Sequence, residues 1–296
     1  MGGGISGESK QDIYQKIPQS FLPKTFFVDR NQPDELERIL PLLCFPVFAK
    51  PDVGKRGRLV EKIDDPETLV AHYQQLNIPL VIQEDITYKE EFSVYYYCFP
   101  EDRTGKVISL VTKEYPSILG DGIHSVEQLI DKDRRLTFFA NKLKPYLSAQ
   151  TLSSVPLSGE TKILSTIGNH SRGTIFHDSR AQIDDALRAT FDDFFQQLEG
   201  IHIGRVDLKA PSLADLKKGT FQVVEINGLG AELAHIYSTG YSLLNANREI
   251  FNLWDIIYKI STQNRAKGVE IVPIRKAFTW FITYIRYSRN LKSTSN

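Results

Sequence analysis

Two short runs of the 296-residue chain carry the side chains a reactive site would need: GRVDLK at 204–209 and VVEING at 223–228. Arg205 and Asp207 stand two apart, and so do Glu225 and Asn227. In an extended chain, residues two apart share a face. Paired, the runs would gather an arginine, two carboxylates and an amide oxygen on one face. Val206, Leu208, Val224 and Ile226 would turn to the other, toward a core. Oxygen donors of this kind suit Mg²⁺, which keeps several waters and takes substrate phosphates as further ligands. An ordinary half-exposed hairpin with its charges outward has the same pattern, so the runs alone leave both readings open.

The elements that must position these groups follow from turn and cap signals. FPVFAK (45–50) is a buried-type strand ending in Lys50, whose charge must find a partner or reach solvent. Gly54, Lys55 and Gly57 then form a basic glycine turn before a strand resumes at Leu59-Val60. Backbone N–H groups in such a loop can reach phosphates, although the P-loop string is absent. Asp65-Pro66 starts a helix that runs to Leu76. Strands follow at 80–84, 92–99 and 106–112, so 45–112 reads as a β-β-α-β-β-β unit. Lys113 precedes a Gly120-Asp121-Gly122 turn, and Ser125 with Gln128 forms a capping box. Residues 163–168 read as a strand that enters GNHSRG (168–173), a cluster of donors. Ile183–Leu198 and Leu243–Ile260 are amphipathic helices.

Bulk composition narrows the partners. Lys plus Arg and Asp plus Glu each number 36, so no global field points to nucleic acid. Cys44 and Cys98 lie in apolar runs and read as buried thiols of a reducing, cytoplasmic compartment. No apolar run reaches transmembrane length. The start, Met1-Gly-Gly-Gly-Ile-Ser6, fits the loose myristoylation pattern, with a flexible terminus as the plainer reading. The domain plan is a lead-in segment at 1–44, a small lobe at 45–112, a large lobe at 113–262 and a basic aromatic tail at 263–296. In the tail, Phe278, Phe281, Ile282 and Ile285 fall at helical spacing. Segment 273–292 is therefore a candidate peripheral membrane contact, or a surface that docks on the protein or on a second copy.

Taken in order, FPVFAKP, DVGKRG, VIQED, Glu91-Phe92, GRVDLK and VVEING resemble the ATP-grasp superfamily, on the side of the carboxylate–amine ligases of D-alanine–D-alanine ligase type. GDGIHSVEQLI and IGNHSRGTIFHD are similar to stretches of cyanophycin synthetase and its relatives. The likeness covers about residues 45–260 and implies an α+β fold of two lobes, with mainly antiparallel sheets, enclosing an ATP cleft. It implies that Lys50, Gly54, Lys55, Gly57 and Lys113 meet ATP phosphates, that Gln83, Glu84 and Asp85 meet adenine, and that Glu91 meets ribose. It further implies that Asp207, Glu225 and Asn227 hold one or two Mg²⁺ or Mn²⁺ ions, and that Arg205 and Lys113 serve the reaction itself. The implied reaction joins a small-molecule or peptide carboxylate to an amine, or a thiol, through an acyl phosphate. His170, Arg172 and His235 are candidates to contact substrate. Two departures stand out: only 44 residues precede FPVFAK, and Gln83-Glu84 replaces a Glu-Lys hinge pair. A small-molecule kinase and a non-catalytic ATP-binding module are the competing functions.

Overall fold

The structure is a computed structural model; it describes residues 7–30, 32–54 and 57–293, and not the side chains of residues 33 and 288–293. Lys55 and the Met1–Ser6 myristoylation pattern lie outside the described residues.

Alternating apolar runs form two main antiparallel sheets. The first contains β1 (Thr25–Val28), β2 (Val47–Pro51), β3 (Glu61–Ile63) and β4 (Leu80–Glu84) in the order β1-β4-β2-β3. The second contains β5 (Glu90–Tyr97), β6 (Lys106–Glu114), β9 (Ile175–Asp178), β10 (Ile203–Ala210) and β11 (Gln222–Asn227) in the order β11-β10-β5-β6-β9. A small ribbon pairs β7 (Ser117–Leu119) with β8 (Thr161–Ile163). The unit expected over 45–112 therefore divides: its last two strands, β5 and β6, belong to the second sheet. The strand expected over 163–168 is instead β8, and only Ile163 is shared.

Helices begin where side chains satisfy their free N–H groups. A short helix α1 (Lys10–Tyr14) is capped by Ser9, and α2 spans Pro33–Ile39. Asp65 accepts from Thr68 N at the start of α3 (Pro66–Leu76), which Asn77 closes in the left-handed region. Both halves of the Ser125–Gln128 capping box are present at α4 (Val126–Lys132). The helices α5 (Arg134–Leu143) and α6 (Ala149–Ser153) complete that region. Asp184 caps α7 (Asp185–Gln196), whose Leu187, Phe191, Phe194 and Phe195 are buried with Phe92, Val94, Val206 and Leu208 of the second sheet. Each such side chain contributes about 1.5–3 kcal/mol through burial. A short turn of helix, α8 (Leu213–Leu216), links β10 to β11. On the opposite face, Leu253, Ile257 and Ile260 of α9 (Leu243–Ala266) cover Tyr95, Tyr97 and Ile203.

The last helix is α10 (Ile274–Ser293). Its expected apolar face divides: Ile282 and Ile285 are half-buried, while Phe278 and Phe281 are exposed and Tyr284 packs against Gly7. Among the described residues no helix is long and apolar enough to cross a membrane. Cys44 is exposed rather than buried, because it follows the short helical turn at Leu40–Leu42 and precedes β2, outside both sheets.

Candidate functional site

Strand pairing puts Asp207 opposite Glu225 and Arg205 opposite Asn227, so the face expected from the sequence exists. A bulge between Asp207 and Leu208 skips Val224, and Leu208 pairs with Val223. Val223 and Ile226 are therefore the buried pair, and Val224 is only half-buried, which corrects its expected place on the core face.

The neighbouring strands complete the face. Glu91 on β5 lies opposite both Lys113 on β6 and Lys209 on β10. Lys113 Nζ lies 2.7 Å from Glu91 Oε1 and 3.0 Å from Asp207 Oδ1. Burial disfavours its charge, but Asp207 and Glu91 outweigh that and hold the ammonium above its usual value. Asp207 Oδ2 accepts from Arg205 Nη2 at 3.2 Å and Asn227 Nδ2 at 3.1 Å. For Asp207, burial works upward, while Arg205 and Lys113 prevail and keep the carboxyl below its ordinary range. Tyr115 donates to Glu91 Oε2 at 2.7 Å, so both oxygens of Glu91 are engaged inside the protein. Gly168 leaves room for that carboxylate: a Cβ there would stand 2.0 Å from Glu91 Oε1.

The first sheet faces this cluster with Lys50. Its ammonium donates to Gln83 Oε1 at 2.5 Å and to the carbonyl of Val224 at 3.3 Å. Burial pulls its pKa down to about 8, against the opposing pull of Glu225. Gln83 is itself buried and turns inward to Lys50 and Thr25, not outward to a base edge. Glu84 accepts from the backbone N–H of Cys44 at 2.9 Å. Asp85 pairs with Lys62 at 2.7 Å and lies 3.6 Å from Lys209. The glycine turn reaches the site through the Gly54 carbonyl, on which Lys10 Nζ lies at 3.4 Å.

The three substrate candidates each turn to protein partners. Arg172 is buried; it donates to the Gly57 carbonyl at 2.5 Å and lies over the Tyr146 ring, so it anchors the glycine turn. His235 is wholly buried against Ser109 Oγ at 2.8 Å, out of a ligand's reach. His170 packs among Phe139, Phe176 and Tyr237, and burial, then Arg135, lowers its pKa.

Sequence reading missed Lys10 and Tyr14, which α1 brings against β11, and Lys209, which period-two spacing from Asp207 would have found. Tyr14 donates to the Val224 carbonyl at 2.6 Å, and Lys10 Nζ lies 3.5 Å from Glu225 Oε1.

Among the described residues no three His, Cys, Asp or Glu side chains form a metal centre by themselves. Asp207 and Glu225, with the Asn227 amide beside them, are all-oxygen donors. Asp207 Oδ1 faces the Lys113 ammonium at 3.0 Å, and the side chain of Glu225 is 36% exposed. That donor set fits a hard divalent cation that keeps part of its water shell.

No protein-family model matches the chain, and no curated protein matches its sequence. Solved structures do. D-alanine–D-alanine ligase from Bacillus anthracis aligns at 16% identity and a TM-score of 0.50, over 88% of this chain and 69% of that one. The VanG D-Ala:D-Ser ligase from Enterococcus faecalis aligns at 12% identity and a TM-score of 0.48, over 86% of this chain and 61% of that one. The chain has the ATP-grasp fold, α+β with antiparallel sheets.

Proposed function

We propose that this chain, built on the ATP-grasp fold, is an ATP- and Mg²⁺-dependent ligase that joins a carboxylate to an amine through an acyl phosphate. One observation carries the reading: Lys113, Arg205, Asp207, Glu225 and Asn227 share one sheet face, and Lys50 approaches it from the other sheet. Lysine charges beside two carboxylates suit a nucleotide polyphosphate with its cation.

Asp207, Glu225 and Asn227 would hold Mg²⁺, which when bound offsets charge on the transferring phosphoryl group. Lys50 and Lys113 would bind and orient the phosphates as point charges. Arg205, with its Nη1 on the Glu232 carbonyl at 3.3 Å, would steady negative charge at the reacting carboxyl. The glycine turn 52–58 would exclude water from the acyl phosphate.

The test is ADP release with a panel of carboxylates and amines. Release that needs both, and is lost in E225Q, supports ligation. A stable phosphate ester formed from one substrate would make the protein a kinase. No MgATP binding by calorimetry would remove both readings.

A peripheral membrane position through 273–292 belongs to the same proposal, since Ile274, Phe278 and Phe281 are exposed on a helix that carries Arg275 and Lys276. Flotation with anionic liposomes, comparing the whole chain with one cut after Gly268, tests it; equal recovery in the soluble fraction would reject it.

A further inference from the structure

We propose that Lys10 is a positioning residue of this site: it occupies Glu225 in place of a divalent cation and releases it only when metal and polyphosphate arrive together. The inference rests on the nucleotide-site reading above and adds a rule for the order of binding.

Lys10 is 7% exposed, although it lies on a helix only five residues long. Its backbone N–H donates to the Asp52 carbonyl at 3.0 Å. Asp52 Oδ1 also accepts from Ser9 Oγ at 3.0 Å and from the Gln11 N–H at 2.9 Å. Four residues on, Tyr14 holds the bulged Val224 carbonyl. The helix is thus fastened at one end to the glycine turn and at the other to β11, and the lysine side chain reaches across between them.

The ammonium sits among the carbonyls of Asp52 and Gly54, at 3.5 and 3.4 Å, and Glu225 Oε1 at 3.5 Å. Among the described residues, Glu225 is the carboxylate with which Lys10 forms its ion pair. Lys50 Nζ lies 3.3 Å from the carbonyl of Val224, the residue before Glu225. Two ammoniums therefore gather about this stretch of β11, a place suited to an anion.

A bare cation binding Glu225 would leave Lys10 buried beside two further positive charges and without its partner. That is an expensive arrangement in a half-dry site. A cation that arrives bound to a triphosphate brings net negative charge, and Lys10 then has phosphate oxygens in place of Glu225. The two ligands are coupled through this one side chain, and such coupling is reciprocal.

The test uses the full chain, with Mn²⁺ as the probe. Electron paramagnetic resonance measures free Mn²⁺ binding, and calorimetry measures MnATP, for wild type, K10Q, K10R and E225Q. K10Q should bind Mn²⁺ alone about tenfold more tightly than wild type and MnATP about tenfold more weakly, the scale of one charge pair. K10R should restore both values, which a merely structural role for the side chain would not require. E225Q in the K10Q background should erase the gain. If K10Q binds Mn²⁺ no more tightly than wild type, or keeps the gain in E225Q, the proposal is overturned. K10M replaces K10Q should the latter not fold. If no variant binds nucleotide, the ATP reading fails, and the Mn²⁺ arm still decides whether Lys10 and a cation compete for Glu225.

Discussion

Lys113 Nζ stands between Glu91 and Asp207, at 2.7 and 3.0 Å, and ties three strands of one sheet through a single buried charge. Removing it would leave two carboxylates in the interior with less to offset them. K113M is expected to cost about 3–5 kcal/mol of stability, as truncating one member of a buried ion pair does. Urea unfolding measures this. A loss below about 1 kcal/mol would put the cluster with exposed pairs, which contribute little.

Lys50 gives a pH signature. Below its folded value of about 8, folded and unfolded chains both hold the proton. From there up to the ordinary lysine range the unfolded chain binds more protons, so this residue's contribution to stability rises with pH across that window. Nucleotide affinity should move the opposite way, since phosphates need the charged ammonium. Calorimetry from neutral to mildly alkaline pH should show MgATP binding weakening in wild type and staying flatter in K50R. A flat wild-type profile would take Lys50 out of the phosphate site.

Glu225 and Asn227 separate binding from folding. Glu225 is partly exposed but pairs with buried Lys10, so E225Q is judged by the gain that ligand adds to its own ligand-free melting temperature. Wild type should gain about 2.7 kcal/mol from MgATP at a hundredfold excess over Kd. E225Q and N227A should lose most of that gain. Full protection in both would end the metal assignment.

Phe191 tests the support beneath the site. It is fully buried on α7 and lies near-parallel to Phe221. F191A is expected to cost about 3–5 kcal/mol, seen as a lower denaturant midpoint at unchanged slope.

The site face was legible because period-two spacing survives in β10 on its own, and Arg205 and Asp207 needed no other information. Helix starts were legible for the same local reason: Asp65-Pro66 and Ser125–Gln128 satisfy their own N–H groups within one turn. Sheet membership was not. Whether β5 continues the first sheet or joins β10 depends on partners more than a hundred residues away, which nothing in EEFSVYYY encodes. The strand Thr25–Val28 and the helix Lys10–Tyr14 are too short to show a period. Lys10 acquires its place from Asp52 and Glu225, far along the chain.

The bulge at Val224 sets the phase of β11. Upstream of it, Phe221 and Val223 keep the core; downstream, Glu225 and Asn227 keep the cluster, and Ile226 returns to the core between them. A regular strand cannot satisfy both halves, because residues 223 and 225 would then share one side. Deleting Val224 would leave Val223 and Glu225 on alternate sides of a regular strand, so core and cluster would keep their faces, but it would take away the carbonyl that receives both Tyr14 and Lys50. A single-residue deletion there should therefore spare the core side of the strand and fall on the site, through the lost anchor of Tyr14 and Lys50.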